Sequence, residues 1–188
     1  MRAVGFFVVN ANPGDKASRM SNIHRLRLTD KIFFITCNLR EDRQNFDNIE
    51  FQMILEVIDS SRRNLGYLFC GYVLMPDHCH ALIAARHPIT ISKIMEAVKS
   101  KISGRLNKRR ATRGPNWQHQ FWDRFVRHAK EFAQRLDYMH HNPVRKGLVT
   151  RPDDWFWSSY NNFSLDPTVV AARPIAIDLV HLPDSYQA

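Results

Sequence analysis

His78 and His80 bracket Cys79 at the start of the run HCHALIAA, and Tyr138 stands further along, shortly before HNPVRKGLV. In an extended strand alternate side chains share a face, so the two imidazoles project together and can hold one metal ion, with Cys79 aimed the other way. A tyrosine phenol titrates at about 10 and is a weak nucleophile at neutral pH, so it needs an electrophile polarised by other groups. A divalent metal on His78 and His80 would bind a phosphate oxygen, stabilise developing charge and align in-line attack. Two imidazoles leave room for a third protein ligand. Asn142, one helical turn from Tyr138, offers a side-chain oxygen. Each element also has an ordinary use: a histidine pair satisfied in a core, a structural tyrosine near a helix end, an asparagine before a helix-stopping proline.

These residues need a strand and a helix to hold them. KIFFITCNL, 31–39, is rich in aromatic and β-branched residues and predicts a strand. Asn48 is positioned to cap a helix to about residue 64, with Met53, Ile54, Val57 and Ile58 at helical spacing and Gly66 ending it. The runs 66–75 and 78–85 are apolar on both faces and split by Pro76-Asp77, which predicts a buried hairpin. A second helix, 92–108, carries Ile94, Met95, Val98, Ile102 and Leu106 as its apolar stripe. A strand near 121–127 and a helix over 130–142 follow, the helix stopped by Pro143. On that helix Phe132, Leu136 and Met139 form a narrow core stripe, and Tyr138 lies roughly 120° from Phe132, poorly placed as core filler. Asn142 shares its flank. The element order predicts an α+β sandwich, ferredoxin-like, with helices packed on one face of a largely antiparallel sheet. We place a flexible lead-in at 1–30, one domain at 31–165 and a tail at 166–188.

The 188 residues suffice for one substantial core, and 44% hydrophobic content fits a globular domain. Lysine and arginine outnumber acidic residues 27 to 18, a net charge of +9 that attracts polyanions. Three cysteines without a CxxC pair indicate neither a disulfide framework nor a zinc knuckle and fit a reducing cytoplasm. The apolar opening MRAVGFFVV stops at Asn10 without a convincing cleavage site, and no run approaches the ~20 residues that span a bilayer. Lys99, Lys101, Arg105, Lys108, Arg109, Arg110 and Arg113 form a run of one sign, beside Trp117, Phe121 and Trp122. A basic groove with aromatic platforms is how single-stranded nucleic acid is held. Arg124, Arg127 and Arg145 are further phosphate contacts on this reading, and the tryptophans have core packing as the competing one.

The segments FFITCNLR (33–40), GYVLMPDHCHALI (71–83), WQHQFWDRFVRH (117–128), LDYMHHNPVRKGLV (136–149) and WFWSSYNNF (155–163) together resemble the REP-associated tyrosine transposases. These belong to the IS200-like single-tyrosine transposases of the HUH nuclease superfamily. The resemblance spans roughly 24–165. It implies that His78 and His80 are the metal pair, with Cys79 in the usually hydrophobic position between them. Tyr138 would take the 5′ phosphate of a cleaved single strand as a phosphotyrosine and release a 3′ hydroxyl. It places the third ligand at Asn142, with His141 as the fallback. Magnesium or manganese is the implied metal; imidazoles favour softer ions than magnesium, so manganese reconciles the two. The implied partner is single-stranded DNA carrying a hairpin, met in the cytoplasm at the nucleoid by a monomer or homodimer. A regulator that grips hairpins without cutting them, and a hydrolase in which water attacks, are the rival readings.

Overall fold

The computed structural model describes residues 23–25 and 30–181. Most of the expected lead-in and the last residues of the tail lie outside the described residues. The core is β2 (Lys31–Asn38), α1 (Asn48–Leu65), β3 (Leu68–Leu74), β4 (His78–Ala85), α2 (Ile91–Arg109) and β5 (Trp122–Phe125), preceded by a short β1 (Ile23–Arg25). The four-stranded sheet has the order β3-β4-β2-β5 with every neighbour antiparallel. That is the ferredoxin-like arrangement the element order predicted. Then come α3 (Ala129–His140), α4 (Asn142–Arg145), α5 (Pro167–Ala171) and β6 (Leu179–His181), the last parallel to β1.

Local chemistry sets the boundaries. Asp47, not Asn48, caps α1: its carboxylate accepts from the Glu50 amide at 2.9 Å while Glu50 accepts from the Asp47 amide at 3.2 Å. This reciprocal box satisfies two donors that the first helical turn leaves unpaired. Gly66 closes the helix at φ 73, in the left-handed region where a side chain would be strained. Thr90 caps α2 and the His128 ring caps α3, each by accepting a first-turn amide.

Alternation along the strands builds two cores. Ile35, Cys37, Ile83 and Ala85 face α1 and α2, whose stripes include Ile54, Leu55, Ile94 and Leu106. Ile32, Phe34, Leu82 and Ala84 face Phe132, Leu136 and Met139 of α3. The expectation of helices on one face therefore holds for α1 and α2 alone, because a hairpin apolar on both sides must be covered on both. A bulge between Phe69 and Gly71 shifts the β3 register, and Gly71 lies directly against α3. A β-carbon there would lie 2.6 Å from the Met139 methyl and 2.9 Å from a Leu136 methyl.

The outer edge of β3 is closed by the chain that follows α4. Leu74 donates to the Trp157 carbonyl, Ser159 donates to the Tyr72 carbonyl, and the Asp178 carboxylate accepts from the Phe69 amide. Arg62 of α1 holds Asp178 at 3.0 Å. Trp155 and Trp157, alternating across Phe156, pack on Phe51. No helix among the described residues is long and apolar enough to cross a membrane.

Candidate active site

β4 opens with His78 and His80 on the face that carries α3, their ring centres 4.9 Å apart, while Cys79 turns to the opposite face across from Cys37. Each imidazole has its Nδ1 engaged. The Nδ1 of His80 lies 2.8 Å from the Thr36 hydroxyl, its register partner on β2, and the Nδ1 of His78 lies 2.5 Å from the Asp77 carboxylate. Such partners hold the plane of each ring and direct its Nε2 edge away from Thr36 or Asp77. The Nε2 of His80 is buried and has no hydrogen-bond partner. The Nε2 of His78 lies 3.4 Å from the side-chain amide of Asn142.

Burial, reinforced by neighbouring His78, pushes the His80 imidazole down to about 3. It is therefore neutral at physiological pH, the form that binds a cation. The orphaned nitrogen, the two oriented imidazoles and the adjacent amide make a donor set that fits a divalent metal, with the Asn142 oxygen as ligand once the amide is turned over. Among the described residues no three His, Cys, Asp or Glu side chains form such a group, so the set needs the amide.

Tyr138 extends from α3 with its ring centre 5.6 Å from that of His80. Phe34 stacks on His80 at 5.3 Å and meets Tyr138 edge-on at 6.2 Å, so one core ring spaces the two. Tyr138 is 41% exposed, as its helix phase predicted. The Arg145 guanidinium sits 5.1 Å over its ring and donates to the Tyr138 carbonyl at 3.2 Å.

Asn142 differs from expectation in how it arrives. α3 ends at His140, and Asn142 is the first residue of α4, buried beside His78 rather than on the exposed flank of Tyr138. His141, the fallback ligand, bonds Asp137 one turn back. The orienting partners Thr36 and Asp77 were missed in the sequence. Asp77 was visible as the neighbour of His78; Thr36 becomes meaningful only once β2 and β4 are in register.

The basic run does not lie beside this site. α2 packs on the opposite face of the sheet from Tyr138. Lys101, Lys108 and Arg113 are exposed there. Arg105 pairs with Glu56 at 3.2 Å, and Arg109 with Asp47 at 2.8 Å. Arg110 grips buried Glu50 and the Gln44 and Asn45 carbonyls, so its guanidinium is spent joining α2 to the start of α1. Lys99 donates to the Gln118 carbonyl and lies 5.8 Å over Phe121. Trp117, expected on the nucleic-acid surface, is a core residue, 6% exposed and packed on Phe46, because its indole also reaches the Lys99 carbonyl. Trp122 is 75% exposed on β5. Arg124 and Arg127 follow it, Arg124 bonded to Glu131 at 2.8 Å and Arg127 exposed.

Residues 32–133 match the family model for the IS200-like transposases. A REP-associated tyrosine transposase of Escherichia coli K12 is 24% identical over 143 residues, covering 76% of this chain and 84% of that relative. A Haemophilus influenzae protein, assigned provisionally to the same group, is 22% identical over 152 residues, covering 76% of this chain and 86% of its own length. A solved structure of a REP-associated tyrosine transposase bound to a REP hairpin superposes with a TM-score of 0.64 at 24% identity, covering 79% of this chain and 84% of that one. This last likeness bears on the fold, which it shares.

Proposed function

The chain belongs to the IS200-like transposase family, and on that premise we propose that it cuts and rejoins single-stranded DNA beside a hairpin through a covalent phosphotyrosine at Tyr138. The observation that carries this reading is the buried, partnerless Nε2 of His80, with the Tyr138 ring centred 5.6 Å from the same imidazole. A nitrogen in that state costs free energy unless something binds it. The family match ends before Tyr138, so the tyrosine's role rests on its position and not on that match.

A manganese or magnesium ion held by His78, His80 and Asn142 would neutralise charge on a non-bridging phosphate oxygen. The rest is done by the chain. Thr36 and Asp77 keep the imidazoles oriented, and Phe34 keeps Tyr138 at its distance. The Tyr138 oxygen forms the new bond to phosphorus and gives its proton to solvent. The bond from phosphorus to the 3′ oxygen breaks, and that oxygen leaves as a hydroxyl after taking up a proton. The 5′ phosphate stays on the enzyme. Arg145, over the tyrosine ring, adds positive charge where the phosphate must approach. Hairpin DNA is the substrate proposed, because the fold is shared with a relative solved on a REP hairpin.

A labelled hairpin with a single-stranded flank, incubated with manganese or magnesium, is expected to yield a covalent adduct that Tyr138→Phe abolishes. An undiminished adduct in that variant would overturn the assignment. The second reading, a hairpin-gripping regulator that does not cut, is favoured by one observation: exposed Lys101 and Lys108 lie on the face away from the site, where binding needs no chemistry. Tight hairpin binding with no adduct under either metal would select it.

A further inference from the structure

We propose that the indole of Trp122 is a stacking platform for one unpaired base of the bound strand, on the reaction face, and so sets which phosphate reaches Tyr138. The inference rests on the reading above and names a positioning residue for it.

Residues opposed across neighbouring antiparallel strands put their side chains on the same face. In this sheet His80 opposes Thr36, and Thr36 opposes Trp122. Trp122 is thus in the same row as His80, two strands over, about 10 Å away at ~4.8 Å per strand. The parity is independently marked by Val126, four positions on, which is buried in the core under α3. The ring therefore stands on the side of the sheet that carries Tyr138, not on the side of α2.

At 75% exposure it is the most exposed of the chain's large hydrophobic side chains among the described residues. It makes no hydrogen bond and no ring contact there, whereas Trp117, Trp155 and Trp157 each donate an indole hydrogen bond. A bare indole on an edge strand invites aggregation and does nothing for the core. Charge complementarity identifies the occupant. Arg124 shares the face of Trp122, stays 60% exposed while holding Glu131, and the chain is basic overall. An aromatic plane beside a cation near a phosphate-transfer centre suits a single strand, whose bases stack on the ring and whose phosphates meet the guanidinium.

The test uses the Tyr138→Phe protein, so that binding is read without cutting, and a fluorescent hairpin with a single-stranded flank. Trp122→Ala is expected to weaken binding about 5- to 150-fold, and Trp122→Phe to keep most of the affinity. In a scan placing one abasic nucleotide at each flank position, a single position should make the parent and Trp122→Ala equal. Equal affinity of Trp122→Ala with every hairpin, or an abasic scan with no coupled position, would overturn the platform. So would light scattering in which the parent is a dimer and Trp122→Ala a monomer, with affinity following dimerisation. Absence of an adduct with the native tyrosine would sink the cutting role but leave this titration to judge Trp122.

Discussion

At the scale of single residues the site works by exhausting alternatives. Each imidazole of the pair has its Nδ1 tied, to Thr36 or to Asp77; the Nε2 of His78 meets Asn142, and that of His80 is buried with no partner. Thr36→Val keeps the shape of the side chain and removes the hydroxyl that orients His80. Manganese affinity, measured by calorimetry, is expected to fall about 10- to 100-fold. Unchanged affinity would mean that burial alone holds the ring. The shared face of the histidine pair and the exposure of Tyr138 were legible in the sequence because strand alternation and helix phase are local. Thr36 was not, since its partner lies 44 residues away and their meeting depends on register. The same limit explains Arg110. Its charge reads as part of a nucleic-acid surface until Glu50, 60 residues earlier, is found buried against it.

Elements position these residues through a few close contacts. α3 sits on β3 because Gly71 has no side chain, and Leu136 and Met139 fill the space beside Tyr138. Gly71→Ala is expected to destabilise the fold by about 1–3 kcal/mol through overpacking, read from the urea midpoint. The adduct rate should fall more than the loss of folded protein accounts for, because the displaced helix carries the proposed nucleophile. The order of strands and helices was readable from periodicity, and the two-sided apolarity of the hairpin already required cover on both faces. Which helix covered which face was not readable. Neither was the turn at His141 that delivers Asn142 to His78, since a proline predicts where a helix stops and not where the chain goes next. α3 is tied from its other side by His140, whose Nε2 lies 2.8 Å from the Ser159 hydroxyl on the strap along β3.

For the molecule as a whole, two consequences are measurable. Burial holds both His80 and His140 down at about 3, while an unfolded chain's histidines titrate at about 6.5. Between those values the unfolded chain binds protons that the folded one refuses, so acid favours unfolding. The metal-free protein should hold full stability above about pH 6.5 and lose it as pH falls toward 3, seen as a falling urea midpoint. His140→Gln should flatten that dependence; an unchanged slope would place the acid sensitivity elsewhere. On the proposed function the net charge of +9 makes DNA affinity salt-dependent, and α2 spends only part of its charge on ion pairs. On the second reading, replacing exposed Lys101 and Lys108 by glutamine should weaken hairpin binding and lower the log–log salt slope by about 1.8, at ~0.9 per phosphate contact of the duplex stem. A flat response would remove the far face from the DNA surface. The strap that closes β3 has a further consequence, in time rather than space. The ribosome delivers α3 before Trp157, Ser159 and Asp178 emerge, so a growing chain carries its tyrosine while the outer edge of β3 is still open and His140 still lacks Ser159. On the proposed function, the attacking tyrosine is made early and its helix clamped late.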